Sequence, residues 1–457
     1  MNLPPEIFKA YDIRGVVGRT LTPQIVRAIG QTLGTLAREK GRTALVVGRD
    51  GRLSGPDLAA AVAEGIRAAG ADVIDIGMVT TPMSYFAAHH LGTHSSVMVT
   101  GSHNPPDYNG LKMVVDGVTL SGDDIQEIRK RSESGRLASG AGTYRTTDVA
   151  GAYYDRVAAD VQLARPLRIV VDCGNGVAGA FAPSLYRRLG CEVSEMYCDV
   201  DGRFPNHHPD PSKPENLRDL TAVLAEGGHD LGFAFDGDGD RLGVVTRDGH
   251  NIFADRQLML FAADVLAREP GATIIYDVKS TRNLKPWILQ HGGVPLLWKT
   301  GHSLIKSKMR ETGAALAGEM SGHTFFRERW YGFDDGLYAG ARLLEIVSRE
   351  PNPSAILDAL PDAVSTPELT IACAEGEHHA LIAKLAVNAT FPGATDVIRI
   401  DGLRVEYPDG FGLARASNTT PTIVLRFEAD DSAALARITA EFRRVLSDTK
   451  PGIALPF

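Results

Sequence analysis

Cysteine is scarce in this chain: the 457 residues include only four, and no two of them form a CxxC pair. Cysteines so few and so widely spaced exclude a disulfide framework and a structural zinc site. We therefore expect reduced thiols, which are typical of a cytoplasmic protein.

Long apolar runs and basic clusters are also missing. No stretch of about 18 apolar residues occurs, and the first residues, MNLPPEIFKAYDIRG, carry acids and prolines where a secretory signal needs a basic end and an apolar stretch. Lys and Arg total 48 against 56 Asp and Glu, a formal charge of −8. We expect a soluble protein with no membrane and no nucleic-acid partner, in which local basic groups hold any anionic substrate.

The chain contains a unit that occurs three times. Its length already predicts several domains, because one hydrophobic core seldom grows beyond about 250–300 residues. Each unit has an apolar strand, a helical stretch, a second strand and a third apolar run that leads into a polar loop. The first strands are predicted at 44–48, 168–172 and 272–277, the second at 71–77, 191–196 and 293–298, and the loops at 97–110, 233–243 and 315–326. This alternation predicts three related α/β domains with mixed sheets, whose loops beyond the strand ends collect ligands.

The remainder of the chain, from about Ser365, has a different pattern of short strands and two helices. In the last predicted helix Leu435, Ile438, Phe442 and Leu446 share one face. We predict a smaller C-terminal α+β domain with a polar loop at 409–421. The four predicted domains are residues 1–148, 149–250, 251–362 and 363–457, arranged around a central cleft.

The loop TGSHNP (100–105) places a hydroxyl beside an imidazole after an apolar strand. We expect it to present Ser102 to solvent, because Gly101 permits a tight turn and the prolines stiffen its exit. A serine hydroxyl is a weak nucleophile unless a base or a cation assists it, and His103 and Lys112 are the nearby candidates. An ordinary Asx-Pro turn is the alternative.

The loop DGDGDR (236–241) sets three carboxylates at alternate positions separated by glycines. The backbone can therefore fold back and point all three at one hard cation, for which we predict Mg²⁺. A solvated acidic turn is the alternative, but three crowded acids repel one another and favour a counter-ion. An EF-hand is excluded, because Arg241 and Arg247 occupy the positions of its glycine and glutamate.

Two further loops have polar residues suited to a phosphosugar. In GEMSGH (318–323), Glu319 and Ser321 can accept and donate hydrogen bonds to vicinal hydroxyls, although a surface turn is also typical of this pattern. In RASNTTP (415–421), a guanidinium fork and short polar side chains suit a phosphate dianion, and a hairpin loop with a chance arginine is the alternative.

A nucleophile, a cation site, a hydroxyl-binding loop and a phosphate clamp are together the parts needed for phosphoryl transfer to and from a phosphosugar. From FKAYDIRG (8–15) to its last residues the chain resembles the α-D-phosphohexomutase family, above all its bacterial phosphomannomutase/phosphoglucomutase branch. The resemblance implies an isomerase that moves phosphate between C1 and C6 of mannose or glucose.

The resemblance also implies a mechanism and a set of site residues. In the family a phosphoserine, matched here by Ser102, donates its phosphate to a hexose monophosphate and yields a bound hexose 1,6-bisphosphate, which turns end over end and also serves as activator. One Mg²⁺ per chain is implied, held by Asp236, Asp238, Asp240 and phosphorylated Ser102. Catalytic roles are implied for Ser102, His103, Lys112 and Arg241, with the general base left open between His103 and Lys112. The implied substrate-binding residues are Tyr11, Arg14, Lys279, His302, Glu319, Ser321, His323, Arg415, Ser417, Asn418 and Thr419.

Other functions stay open at this stage. Phosphoglucosamine mutases usually carry glutamine at the position of Met320, so the mannose/glucose branch is favoured over them. FAFDGDGD also resembles the motif of aspartate-nucleophile phosphatases, in which Asp236 would take the phosphate. A non-enzymatic phosphosugar-binding protein is a further alternative. We expect a monomer, with a dimer left open, and closure of the fourth domain over bound substrate.

Overall fold

Four β-sheets, each with its own helices, run through residues 3–457, the part of the chain that this computed structural model describes. The first sheet has seven strands in the order β1-β5-β4-β2-β3-β7, with β6 paired to β5. Its elements are β1 (Ile13–Val16), α1 (Pro23–Glu39), β2 (Ala44–Arg49), α2 (Gly55–Ala68), β3 (Asp72–Met78), α3 (Thr81–His90), β4 (Ser96–Val99), β5 (Tyr108–Val115), β6 (Val118–Thr119), α4 (Asp123–Ser134) and β7 (Tyr144–Thr146).

The second and third sheets have five and four strands, in the orders β12-β11-β10-β8-β9 and β14-β13-β15-β16. The elements around the second are α5 (Ala150–Asp160), β8 (Arg168–Asp172), α6 (Ala182–Arg188), β9 (Glu192–Met196), α7 (Arg218–Ala225), β10 (Leu231–Phe235), β11 (Leu242–Thr246) and β12 (Asn251–Ile252). Those around the third are α8 (Ala254–Arg268), β13 (Thr273–Asp277), α9 (Leu284–Gln290), β14 (Val294–Trp298), α10 (His302–Thr312), β15 (Leu316–Gly318), β16 (Thr324–Phe326), α11 (Gly336–Val347) and α12 (Pro353–Asp358).

The same four-strand arrangement occurs in all three of these sheets. In each, the first apolar strand pairs in parallel with the second and third strands, and a fourth strand returns antiparallel to the third. The polar loops predicted from the sequence are the three connections between the third and fourth strands, β4–β5, β10–β11 and β15–β16. Because these connections follow the carboxyl ends of buried parallel strands, they lie where ligands bind in α/β folds. The predicted repeat of three α/β units with mixed sheets is confirmed.

The fourth sheet is antiparallel and has six strands, in the order β17-β22-β21-β20-β19 with β18 paired to β22. Its elements are β17 (Val364–Ser365), β18 (Leu369–Ala372), α13 (Glu377–Asn388), β19 (Asp396–Ile398), β20 (Leu403–Tyr407), β21 (Gly410–Ala416), β22 (Thr422–Ala429) and α14 (Ser432–Thr449). The prediction of a loop over 409–421 is wrong for its first part, because residues 410–416 form the buried strand β21 and only the turn after it is irregular. The smaller α+β unit is confirmed.

The three α/β units share an apolar core, the first unit has a further core of its own, and the fourth unit has a separate one. One apolar core runs without a break from Val46 in the first unit to Leu360 after the third, whereas the fourth unit packs its own core around Phe442 of α14. The contact between the third and fourth units combines a small apolar cluster of Val278, Phe411 and Leu413 with polar bonds. Arg426 donates to Asp255 Oδ2 at 3.0 Å and Thr281 Oγ1 donates to Glu428 Oε1 at 2.7 Å. The exact limits of the four domains stay predictions. Across residues 3–457, no helix has the length and apolar character needed to cross a membrane.

Candidate active site

A cleft of about 350 Å³ lies where the loops of all four units meet. Residues after β4, β10 and β15 form three of its walls, and the end of β21 with the following turn forms the fourth. The sequence-predicted residues that line it are Tyr11, Arg14, Ser102, His103, Lys112, Arg241, Lys279, His302, Glu319, Ser321, His323, Arg415, Ser417 and Thr419. Asn418 belongs to the same turn without being a lining residue, and Asp236, Asp238 and Asp240 lie fully buried beside the cleft.

The backbone around Ser102 is held in an unusual conformation. Ser102 has a φ of 49°, in the left-handed region that residues other than glycine seldom adopt. Its N–H donates to Thr100 Oγ1 at 2.8 Å, and Thr100 in turn donates to Asp50 Oδ2 at 2.7 Å. The buried Arg52 donates to the carbonyl oxygens of Ser102, at 2.8 Å, and of Asn104, at 2.6 Å. These hydrogen bonds stabilise the left-handed conformation of Ser102, which is unfavourable without such support.

The Ser102 hydroxyl faces two groups that can take its proton. Its Oγ donates to Asp236 Oδ2 at 3.0 Å and lies 3.1 Å from His103 Nδ1. The expectation that Ser102 is presented to solvent is wrong: the residue is 1% exposed, because the loop 236–241 of the second unit packs against it. It still borders the cleft. Burial, followed by the charges of Arg241 and Arg14, lowers the pKa of His103 well below its ordinary value, which favours the neutral imidazole.

The three aspartates converge as the glycine-separated spacing predicts. One carboxylate oxygen from each lies within 4.8 Å of the others, and all three side chains are buried. Asp236 Oδ1 accepts from the backbone N–H groups of Asp240, at 3.1 Å, and Arg241, at 3.2 Å, which folds the loop back on itself. The ammonium of Lys112 bridges two of the acids, 2.7 Å from Asp238 Oδ2 and 2.5 Å from Asp240 Oδ2.

This acidic cluster fits a hard divalent cation. Asp238 Oδ1 is buried and has no hydrogen-bond partner within residues 3–457, so an acceptor remains for a ligand. Carboxylate oxygens are the donors that Mg²⁺ prefers. Burial opposes ionisation of Asp240, yet Lys112 and His323 hold its pKa well below the ordinary value. Burial, followed by the charges of Asp240 and Asp238, instead raises the pKa of Asp236 well above it.

The loop after β15 is joined to the acidic cluster through His323. Its Nδ1 lies 2.9 Å from Glu319 Oε2 and its Nε2 lies 3.1 Å from Asp240 Oδ1. Burial works against protonation, but Asp240 and Glu319 raise the pKa of His323 to about 9. Glu319 Oε1 also accepts from the N–H of Gly301 at 2.5 Å. The imidazolium therefore links the loop 318–323 of the third unit to the loop 236–241 of the second.

The turn after β21 has the composition and the shape of an anion clamp. Ser417 Oγ accepts from the N–H groups of Thr419, at 3.3 Å, and Thr420, at 3.2 Å, which closes the turn. Arg415 donates from Nε to Asp401 Oδ2 at 3.0 Å. Opposite it, Lys279 of the third unit donates to Glu368 Oε2 at 2.9 Å. Arg415 and Lys279 are thus both paired with carboxylates.

Three of the remaining predicted residues pack at the cleft wall formed by the first and third units. Arg14 Nη1 donates to Asn104 Oδ1 at 2.5 Å and Nη2 pairs with Asp12. Tyr11 packs edge-on against the buried His302 with ring centroids 5.7 Å apart. Neither ring nitrogen of His302 makes a hydrogen bond among residues 3–457, although Nδ1 lies 3.8 Å from Asp334 Oδ2.

Several residues of this site were not predicted from the sequence. Asp50 and Arg52 shape the serine loop, and Asp210, Lys213 and Glu368 line the cleft. The polar run GRDGR (48–52) was a usable signal, because it follows β2, the parallel neighbour of β4. Asp210 and Lys213 lie in a long irregular segment between β9 and α7, where no periodic pattern exists to place them.

Comparison with known proteins gives the class of this four-unit architecture. Models of the four domains described as phosphoglucomutase/phosphomannomutase, alpha/beta/alpha domains I, II and III and C-terminal domain match residues 5–138, 151–249, 254–364 and 368–445. The chain therefore belongs to the phosphoglucomutase/phosphomannomutase family, as its resemblance to the phosphohexomutases indicated.

Relatives of this chain match it over its whole length. It is 58% identical over 458 residues to the phosphoglucomutase of Neisseria gonorrhoeae, covering 100% of this chain and 99% of that protein. It is 54% identical over 457 residues to the phosphomannomutase/phosphoglucomutase of Pseudomonas aeruginosa, covering 100% and 98%. The crystal structure of a phosphoglucomutase/phosphomannomutase family protein from Burkholderia thailandensis superposes with a TM-score of 0.95 at 60% identity, covering 100% of both chains.

Proposed function

We propose that this protein catalyses reversible phosphoryl transfer between C1 and C6 of hexose phosphates, of mannose, glucose or both, through a phosphoserine at Ser102. One observation carries the proposal: the Ser102 hydroxyl, 3.0 Å from the first of three buried, convergent aspartates, borders a cleft that all four units line. A nucleophile, a cation site and an anion clamp in one cleft are what a phosphosugar mutase requires.

In the forward half-reaction, phosphorylated Ser102 donates its phosphoryl group to the free hydroxyl of a hexose monophosphate. The bond between phosphorus and Ser102 Oγ breaks, a bond from phosphorus to the sugar oxygen forms, and the sugar proton is passed on to Ser102 Oγ. His103 is the residue we assign to this proton transfer, because its Nδ1 lies 3.1 Å from that oxygen. Burial of Ser102 limits access of water, which would otherwise hydrolyse the phosphoserine.

Charge around the moving phosphoryl group is balanced by residues of the first and second units. Asp236, Asp238, Asp240 and phosphorylated Ser102 would hold one Mg²⁺, which neutralises charge as the group passes between oxygens. Lys112 is fixed as an ammonium by Asp238 and Asp240 and supplies positive charge instead of acting as a base. Arg241, whose Nε lies 3.9 Å from Asp236 Oδ2, contacts the seryl phosphate or the substrate.

The third and fourth units hold the sugar in either of two orientations. Glu319 and Ser321 bind the O3 and O4 hydroxyls, and His323 orients Glu319 from 2.9 Å. Arg415 with the turn 417–419 grips the phosphate that is not reacting. A bound hexose 1,6-bisphosphate can then turn end over end, because these contacts are equivalent in both orientations. The same bisphosphate would also rephosphorylate Ser102 in enzyme that has lost its phosphate.

The test is replacement of the nucleophile. Ser102→Ala is expected to reduce conversion of glucose 1-phosphate to glucose 6-phosphate by at least about 10³-fold, because no other group can carry the phosphate. The matched control is Ser134→Ala, an exposed serine at the end of α4, which should retain wild-type turnover. Full activity of Ser102→Ala in preparations free of host mutase would reject the proposal.

A second measurement separates the competing chemistry. A phosphoenzyme formed with glucose 1,6-bisphosphate should be stable to hydroxylamine if Ser102 carries the phosphate. Loss of the label on hydroxylamine treatment would instead indicate an acyl phosphate on Asp236. Steady-state rates with mannose, glucose and glucosamine 1-phosphates then assign the preferred hexose. We expect mannose and glucose to be the better substrates, and sedimentation to give a monomer.

A further inference from the structure

A second cavity, of about 250 Å³, lies between the first and third units. Its walls come from α3 and the hairpin of β5 and β6 on one side, and from α10 and the segment 327–333 on the other. Within residues 3–457 it shares no lining residue with the cleft described above. It is therefore a separate site, and the proposed phosphoryl transfer leaves it without a role.

The cavity is basic in a protein that is acidic overall. Its lining includes Lys306, Arg310, Arg327 and the imidazoles of His89 and His94, whereas none of the described residues that line it is Asp or Glu. The whole chain carries a formal charge of −8. Positive charge concentrated in a concave surface attracts and holds anions.

Aromatic rings form the other part of the lining. Tyr331 is 37% exposed, stacks on His89 with ring centroids 4.9 Å apart, and lies parallel to Phe333 at 5.8 Å. Tyr85 adds a further ring, 5.5 Å from that of Phe333. Aromatic rings at the wall of a cavity, one of them partly exposed, favour contact with a planar apolar ligand.

Lys306 brings a buried ammonium to the cavity wall. Its Nζ donates to Asp334 Oδ1 at 2.7 Å and lies 4.2 Å from the centroid of the Tyr85 ring. Burial lowers the pKa of Lys306 in spite of this ion pair. One carboxylate therefore does not offset the desolvation of the ammonium, and an anion bound in the cavity would offset more of it.

We propose that this cavity binds a small aromatic anion: a single ring that packs against Tyr331 and Phe333 and carries a phosphate, phosphonate or carboxylate group held by Arg310, Arg327 and Lys306. The size is suitable, because a cavity of about 150 Å³ in another protein accepts benzene and the additional space takes the anionic group. Since both units form its walls, a bound ligand joins the first unit to the third.

The experiment is calorimetric titration of the full-length protein with phenylphosphonate. Two probes that each lack one half of the ligand, methylphosphonate without the ring and benzyl alcohol without the charge, should bind at least about tenfold more weakly. Arg310→Glu and Tyr331→Ala each alter an exposed side chain of the cavity, and Arg136→Glu makes the same charge change at an exposed arginine after α4.

Phenylphosphonate should bind the wild type and Arg136→Glu equally, Arg310→Glu at least about tenfold more weakly, and Tyr331→Ala several-fold more weakly. Saturating probe should also raise the midpoint of thermal unfolding of the wild type but not of Arg310→Glu, because only the native state has the cavity. The absence of any heat of binding at millimolar phenylphosphonate would overturn the proposal. Equal binding by all three variants would also overturn it, because the probe would then bind elsewhere on the protein.

Discussion

At the scale of single residues, Lys112 has a position that bears directly on the cation site. It is buried, and its ammonium bridges Asp238 and Asp240, two of the three acids that would hold a metal. Burial opposes the charge, but the two aspartates raise its pKa and keep it protonated. The ammonium and a divalent cation therefore neutralise the same carboxylates, and each reduces what the other can contribute.

Lys112→Met is expected to make the protein depend on divalent cations for stability. Without them the variant should unfold more easily by about 3 kcal/mol, since removing one partner leaves buried carboxylates uncompensated. Added MgCl₂ should raise its thermal midpoint more than that of the wild type. Midpoints measured in EDTA and in MgCl₂ test this, with Lys285→Met as control, because its side chain is exposed on α9. If MgCl₂ raised the midpoints of Lys112→Met and of the wild type equally, Lys112 would not share carboxylates with the bound cation.

At the scale of elements, the sequence allowed the repeated strands to be predicted because continuous apolar runs are typical of buried parallel strands. The predicted run 168–172 coincides with β8, and 293–298 differs from β14 by one residue. Long-range hydrogen bonds could not be predicted in this way. No local pattern indicates that Arg52 donates to the carbonyls of Ser102 and Asn104, 50 and 52 residues away. Arg415 likewise belongs to the strand β21, where glycines and polar neighbours had indicated a loop.

Helices α1 and α2 approach each other closely through glycines. A Cβ on Gly65 would lie 2.0 Å from the carbonyl oxygen of Arg27, and one on Gly30 would lie 2.4 Å from that of Val62. Gly65→Ala should therefore destabilise the protein by about 2 kcal/mol, since backbone must move to admit the methyl group. Gly151→Ala in α5 meets no atom within 4 Å among the described residues and should stabilise by about 0.5–1 kcal/mol. Urea denaturation measures the change in the free energy of unfolding for each variant. Equal changes in Gly65→Ala and Gly151→Ala would contradict the packing argument.

The N-cap of α11 predicts a specific pH dependence. Asp335 accepts from the N–H of Tyr338 and from the hydroxyl of Tyr153, both at 2.9 Å, yet burial raises its pKa from 3.8 to about 7. Between these values the folded state holds a proton that the unfolded state has released, so this residue lowers stability as pH rises from about 4 to about 7, by at most about 1.4 kcal/mol per unit.

Asp335→Asn removes this titration and keeps acceptors for both donors. Plotted against pH, the free energy of unfolding of the variant relative to the wild type should rise from about pH 4 and level off above about pH 7. Ser348→Ala, at the other end of α11, is the control and should give a difference that is flat over this range. A flat difference for Asp335→Asn as well would show that the carboxyl ionises normally in the folded protein.

At the scale of the whole molecule, the contact between the third and fourth units bears on how Lys279 and Arg415 would bind a phosphate. Many polar contacts join them, among them those of Arg426 with Asp255, of Thr281 with Glu428 and of Arg404 with the carbonyl of Val278. The cations Lys279 and Arg415 lie on the two sides of this contact. Lys279 lowers the pKa of Glu368 to about 2, so the pair is fully ionised at neutral pH. Under the proposed function, a substrate phosphate would compete with Glu368 for Lys279, and closure of the fourth unit over the sugar would accompany that exchange.

Glu368→Gln should therefore strengthen binding of the hexose phosphate. The change frees Lys279 and removes a negative charge from the cleft wall, so KM for glucose 1-phosphate should fall several-fold while kcat changes less, because Glu368 does not contact the reacting atoms in this arrangement. Glu375→Gln, an exposed acid in the loop before α13, is the matched control and should leave both constants at wild-type values. A higher KM in Glu368→Gln would mean that the carboxylate positions Lys279 for the phosphate instead of competing with it.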